Sequence, residues 1–366
     1  MELLKNITSY LETIAPLRYQ ESYDNAGLIT GNHEMQITGA MIALDSTEAV
    51  IDEAIEKRCN LVIAHHPIVF SGLKKINGKN YVERTIIKAI KNDIAIYGIH
   101  TNLDNVHNGV NAKICEVLGL MNCKILSPKN GLLKKLVTFV PIADAEKVSK
   151  ALFDAGSGRI GNYDECSFNV DGNGTFRASE NANPVKGEKG ILHNELETRI
   201  ETIFESVHQH AIIKALLSVH SYEEVAYDIY PLDNSYQNVG SGMVGEFEKE
   251  MSETDFLQLL KTKMLTGCVR HTSLLNKKVK RVALCGGAGS FLLNEAIASG
   301  AQAFVTADYK YHQFFDADGK ILIADIGHYE SEQFTKQLLY DLLNRNFNTF
   351  ALRLTTVNTN PINYFS

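Results

Sequence analysis

Short unbroken apolar runs alternate along the chain with apolar stripes at helical spacing, and together they set a β-α-β rhythm. Residues 38–44 read as a strand. Val50, Ile51, Ala54 and Ile55 mark the buried side of a helix that Ser46 or Thr47 can cap, and 61–64 is the next strand. A helix near 81–92, a strand at 94–99 and a helix near 110–118 follow. A run such as Leu61-Val62-Ile63-Ala64, with no polar interruption, predicts a strand buried on both faces, as in a parallel sheet. Before these, Leu3, Leu4, Ile7, Tyr10, Leu11 and Ile14 predict an amphipathic helix over 1–14 that Pro16 ends.

The texture breaks at 127–131 and again at 230–234, both rich in turn residues. Between the breaks, the pattern predicts a strand at 136–140, then a helix capped by Asp144 and carrying Val148, Ala151 and Leu152. A hairpin at Gly172-Asn173-Gly174, a strand at 195–203, a helix with Val207, Ala211, Ile212, Ala215 and Leu216, and a strand at 225–230 complete the segment. This order, β-α-β-β-α-β, is the ferredoxin-like one. The expected organisation is therefore a discontinuous α/β domain, 1–129 with 234–366, carrying an inserted α+β domain at 130–233. Downstream, strands at 281–284, 303–306 and 321–326 restore the first rhythm, with a helix bearing Leu292, Leu293, Ala296 and Ile297 and a terminal helix at 333–344.

The two flanks resemble each other. ALDSTEAVIDEAIEKRCNLVIAHH (43–66) aligns with ALCGGAGSFLLNEAIASGAQAFVTAD (283–308), so the larger domain reads as duplicated β-α-β halves. The polar residues fall at matching strand ends. His65 and His66 close one strand before Pro67, and two later strands end in a histidine followed four residues on by a carboxylate: His100 with Asp104, and His328 with Glu332. If a helix starts at the histidine, positions i and i+4 share a face, and an imidazole and a carboxylate can address one ion. A His-His pair alone also suits a strand that simply closes on polar residues; three such strand ends in a duplicated frame favour a metal site. Asp308 aligns with His66 and is a candidate to orient a ligand. Gly286–Ser290 lacks the lysine of a phosphate-binding loop and reads as a tight strand-to-helix turn.

Composition narrows the class. The 366 residues are 45% hydrophobic and 22% charged, ordinary for a globular protein with a full core, and the net charge of −7 does not predict a nucleic-acid footprint. No run approaches the ~20 apolar residues of a membrane span, and the N-terminus does not read as a secretory signal. Six cysteines stand singly, without a CxxC pair, which predicts a reduced, cytoplasmic protein.

Taken in order, YDNAGLITG, AHHPIVF, GIHTNLDNVHNGVN, GGAGS, TADYKYH and GHYESE resemble the GTP cyclohydrolase I type 2 homologues, also called Nif-three-like proteins. The likeness covers both flanks. It departs at Tyr23, where the family usually has tryptophan, and at Ala307-Asp308, where Gly-Asp is common. The resemblance implies a dinuclear centre of divalent ions in each subunit, with His65, His66, Asp104, His328 and Glu332 as metal ligands; mixed nitrogen and oxygen donors fit zinc, iron, manganese or nickel alike. It implies a toroidal homohexamer, and the inserted segment, with GNYDECSF and GNGTF, resembles a PII-like domain.

Paired ions on such ligands are a hydrolytic arrangement. The expected activity is that of a metal-dependent hydrolase on a nucleotide-like or phosphorylated small molecule, with His100, Asp308 or His312 as candidate acid or base. The competing expectation is a non-catalytic metal-binding regulatory or scaffold protein whose PII-like domain senses a small molecule.

Overall fold

The Leu61–His66 strand lies in the middle of a five-stranded sheet ordered Ala351–Leu354, Gly39–Asp45, Leu61–His66, Ala95–Gly98, Gly27–Thr30. The first four run parallel, and Gly27–Thr30 is antiparallel to its neighbour. This architecture comes from a computed structural model that describes residues 2–365. The chain divides into two units: one runs up to Pro128 and resumes at Gln237, and the other is Lys129–Tyr236. The fold is mixed α/β.

Both faces of the central strand are covered, which is why its sequence is apolar without alternation. On one face, Val50, Ile51 and Ala54 from helix Glu48–Glu56 and Ile86 and Ala89 from helix Tyr81–Lys91 pack on Met41, Ala43, Val62 and Ile96. Each fully buried Val or Ile contributes roughly 1.5–3 kcal/mol. Helix Thr335–Asn346 packs against strands of the same sheet. Of the two predicted caps, Thr47 serves: its hydroxyl accepts from the Val50 amide at 3.3 Å. The expected 1–14 helix is formed over Leu4–Ile14, with Met1 outside the described residues.

The second sheet of this unit runs Arg270–His271, Leu322–Asp325, Ala303–Ala307, Lys278–Ala288, Tyr236–Ser252, Met121–Lys129. Lys278–Ala288, Ala303–Ala307 and Leu322–Asp325 are parallel neighbours, as are the strands of the first sheet that lead to the histidines. The long Tyr236–Ser252 strand and the helix Glu253–Lys263 were not predicted. Four glycine, serine and asparagine positions between 238 and 242 hide the alternation that would have marked the strand.

The Lys129–Tyr236 unit is a four-stranded antiparallel sheet, ordered Tyr227–Pro231, Leu133–Pro141, Leu192–Glu205, Phe168–Arg177, with helices Ala145–Asp154 and Gln209–Val219. Its core is Leu136, Val140, Val148, Leu152, Ile200, Phe204, Ile212 and Leu216. Two local expectations are corrected. Gly172-Asn173-Gly174 is not a hairpin turn but mid-strand, with Gly174 paired to Glu195 in register. Asp144 precedes its helix but makes no side-chain cap, because it already lies in a turn of 3₁₀ helix.

Candidate metal centre

Three strand ends and two short helices deliver the polar residues. The Leu61–His66 strand carries His65 and His66 at its C-terminal edge, where ligands of parallel sheets gather. Ala95–Gly98 leads through His100 into helix Thr101–Asp104, and Leu322–Asp325 leads into helix His328–Glu332. The i, i+4 spacing works as expected in the second case: His328 Nε2 lies 3.1 Å from Glu332 Oε2. His66 Nε2 is 2.9 Å from the same oxygen and 3.4 Å from His328 Nε2. His65 Nε2 is 3.5 Å from Asp104 Oδ1 and 3.9 Å from Glu332 Oε1. All five residues named from the family resemblance thus lie together. One ligand atom each of His65, His66 and Glu332 falls within 4.8 Å of the others.

Each imidazole is aimed by its other nitrogen. His65 Nδ1 donates to the Ile99 carbonyl at 2.8 Å, His66 Nδ1 to Asp45 at 2.7 Å, His328 Nδ1 to Asp308 at 2.6 Å and His100 Nδ1 to Asp24 at 2.8 Å. A proton fixed on Nδ1 leaves a neutral ring with its Nε2 lone pair facing inward, the arrangement that metal-binding histidines use. Asp308 was anticipated from the internal alignment. Asp24 and Asp45 were not. Asp45 pairs with His66 across adjacent strands, a register relation no linear spacing reveals.

Burial and charge at these residues are unusual for side chains of a protein interior. His65 Nε2 and Asp104 Oδ1 are buried and have no hydrogen-bond partner among the described residues. With the His65 proton on Nδ1, a lone pair faces carboxylate oxygens, which is costly unless positive charge sits between them. Burial and then the Glu332 charge push the Asp104 carboxyl up to about 7. Glu332 is itself held well below its usual value: burial opposes this, but the charge and hydrogen bond of His328 and the hydrogen bond of His66 outweigh it. Burial likewise opposes the charged imidazoles, yet Asp45 and Glu332 raise His66 to about 10, and Glu332 and Asp308 raise His328 to about 11. The donor set fits a divalent metal.

Gly287 seats Glu332. It has a φ of +60°, and a Cβ there would meet Glu332 Oε1 at 2.5 Å. Gly286 and Gly287 lie at the end of strand Lys278–Ala288 and not in the expected turn, and their amides are taken by the Asn111 side chain and the Ser331 hydroxyl, which leaves neither for a phosphate. Beside the centre lies a cavity of about 400 Å³ lined by His66, His100 and His328 together with Pro67, Phe70 and Tyr329. His312, the weaker candidate, is exposed on a separate turn against Tyr311 and Phe315.

A family model described as Duf34/NIF3 (NGG1p interacting factor 3) matches residues 2–361. A Bacillus subtilis protein named GTP cyclohydrolase 1 type 2 homolog is 40% identical over 327 residues, 89% of this chain and 88% of its own. A Halalkalibacterium halodurans protein of the same name is 36% identical over 366 residues, 98% of each chain. Among solved structures, a Bacillus cereus protein related to NIF3 superposes with a TM-score of 0.86 at 38% identity, covering 100% of this chain and 99% of that one. Among the described residues, no helix is long and apolar enough to cross a membrane.

Proposed function

The chain belongs to the Duf34/NIF3 family, and on that premise we propose that it is a dinuclear metal-binding protein acting as a hydrolase on a nucleotide-like or phosphorylated small molecule. One observation carries the proposal: the His65 Nε2 lone pair and the Asp104 and Glu332 oxygens face one another in a desolvated space that a cation would reconcile. His65, His66, Asp104, His328 and Glu332 would hold two divalent ions; nitrogen and oxygen donors together suit zinc, iron, manganese or nickel. Bound there, such ions supply Lewis acidity and make water a stronger nucleophile.

The chain's own part is orientation and proton handling. The Ile99 carbonyl, Asp45 and Asp308 hold the ring protons of His65, His66 and His328 on Nδ1. His100 lines the adjoining cavity, and Asp24 accepts its Nδ1 proton; burial opposes ionisation of Asp24, yet the hydrogen bonds of His100 and Thr101 hold it at about 2. His100 is therefore the group best placed to pass a proton at Nε2 to or from a ligand in that cavity. Pro67, Phe70 and Tyr329 give the ligand's body an apolar wall. The name of the relatives suggests GTP, which belongs to this substrate class.

A panel of nucleotides and phosphoesters offered to metal-loaded protein tests the proposal. Turnover of at least one compound, abolished in a folded His66→Ala variant, is expected. No turnover across the panel would overturn the enzyme and favour a regulatory metal protein. One observation supports that second reading: the Lys129–Tyr236 unit has a cavity of about 720 Å³ lined by Phe176, Arg177, Lys186, Arg199 and Tyr222 among others, large enough for a small effector. Its β-α-β-β-α-β order supports taking 130–233 as an inserted ferredoxin-like, PII-like domain within a discontinuous metal-binding domain of duplicated halves. Assembly as a toroidal homohexamer belongs to the same proposal and rests on the family resemblance; a cytoplasmic location belongs to it as well and rests on the six singly placed cysteines.

A further inference from the structure

The last strand, Ala351–Leu354, adds to the edge of the first sheet parallel to Gly39–Asp45, with Leu354 opposite Ile42. Parallel register carries the chain beyond it toward the same sheet edge as His66. The Thr355 amide continues the ladder to the Ile42 carbonyl at 2.9 Å. Glu53 of helix Glu48–Glu56 then grips the turn: it accepts from the Thr355 hydroxyl, from the Thr356 amide at 3.0 Å and from the Thr356 hydroxyl at 2.6 Å. Val357 packs on the core below. Anchored so, the chain passes Asp45, and Thr359 donates its hydroxyl to Asp45 Oδ2 at 2.5 Å while Asp45 Oδ1 holds His66. Asn360 donates to Glu330 Oε1 at 3.1 Å, tying the segment to the helix that bears His328 and Glu332.

We propose that the end of this segment, 359–362, is a working part of the metal centre, and that Thr359 is a positioning residue that fixes the Asp45 carboxylate and, through it, the His66 ring. The inference rests on the metal-binding proposal above. A carboxylate with one oxygen on an imidazole and the other unheld can rotate about its own bond. Engaging both oxygens locks its plane and so the ring it aims. Asp24 shows the same device, holding His100 with one oxygen while the other accepts from the Thr101 amide and hydroxyl. The segment also supplies Asn360, Pro361 and Ile362 to the wall of the cavity beside the centre.

The test is the rate at which zinc-loaded protein gives up its metal to a chromophoric chelator, together with the visible spectrum of the cobalt form. Thr359→Val keeps the shape and removes the hydroxyl. It should release metal roughly 10-fold faster than wild type and alter the cobalt spectrum, and Thr359→Ser should return release to within about twofold. Thr356→Val, which removes a hydroxyl from the Glu53 grip and touches no proposed ligand, should lower the melting temperature without changing the cobalt spectrum. If Thr359→Val does not fold, Thr359→Ala is read in its place. Wild-type release and spectrum in the Thr359 variant would overturn the inference and leave the metal centre standing, as would equal changes in Thr356→Val and Thr359→Val, the mark of a strap that only holds the fold. Failure of the wild type to take up zinc or cobalt would overturn both.

Discussion

On the N-terminal flank His65 is fully buried, and His66 is aimed by an aspartate whose second oxygen is held by Thr359. On the C-terminal flank His328 keeps 35% of its side chain in solvent, and its aspartate, Asp308, keeps 47%. No second partner of Asp308 is seen among the described residues that would lock its carboxylate as Asp45 and Asp24 are locked. The two flanks offer matching residues at matching strand ends, yet one is braced and the other open. The lesson is physical: a hydrogen bond to an ion pair strengthens as water leaves, so the buried side can fix ligand geometry while the exposed side adapts. Glu332 joins them, with 3% of its side chain exposed and its two oxygens directed to His65 on one hand and to His66 and His328 on the other.

The largest effect should follow from cutting that joint. Glu332→Gln keeps the volume and removes the charge, leaving three imidazoles without their shared carboxylate. Metal affinity should fall by more than the roughly 100-fold that loss of an orienting partner costs, read by competition with a chelator; retention within tenfold would show that the flanks bind metal separately.

The asymmetry itself is tested next by a matched pair. Asp45→Asn should weaken metal binding roughly 10–100-fold and Asp308→Asn by about tenfold or less, because Asp308 is the more exposed and has no second hydrogen bond among the described residues. Equal losses would erase the distinction between braced and open sides.

A smaller effect isolates stability from metal binding. Burial works against ionisation of Glu53, but hydrogen bonds from Thr355 and Thr356 win and lower its pKa. A group whose folded pKa lies below its unfolded value stabilises the fold above the unfolded pKa, and that stability is lost as pH falls through the folded one. Glu53→Gln should therefore cost about 1–2 kcal/mol at pH 7 by urea unfolding, and the gap to wild type should close in acid below pH ~4. A pH-independent gap would mean that packing and not charge holds the C-terminal segment.

Much of the centre could be read along the chain because its signals are local. His65-His66 ends an apolar run, and His328 and Glu332 are separated by one helical turn, patterns that survive without any tertiary knowledge. The holders were harder to see because each depends on a long-range relation. Asp45 meets His66 through strand register, Asp24 reaches His100 from 76 positions away, and Thr359 arrives over 314 positions by adding a strand at the sheet edge. Gly172-Asn173-Gly174 misled for the opposite reason: its local chemistry is that of a turn, but pairing along the whole Leu192–Glu205 strand overrides it.

The most direct measurement is elemental analysis, per chain, of protein purified without added metal, for wild type and Asp104→Ala. Asp104 presents a buried oxygen without a hydrogen-bond partner among the described residues, on which the proposed metal centre rests. About two equivalents of divalent metal in the wild type, falling clearly in the variant, is the predicted result. Wild-type protein with no stoichiometric metal, even after reconstitution with zinc, iron, manganese or nickel, would contradict it.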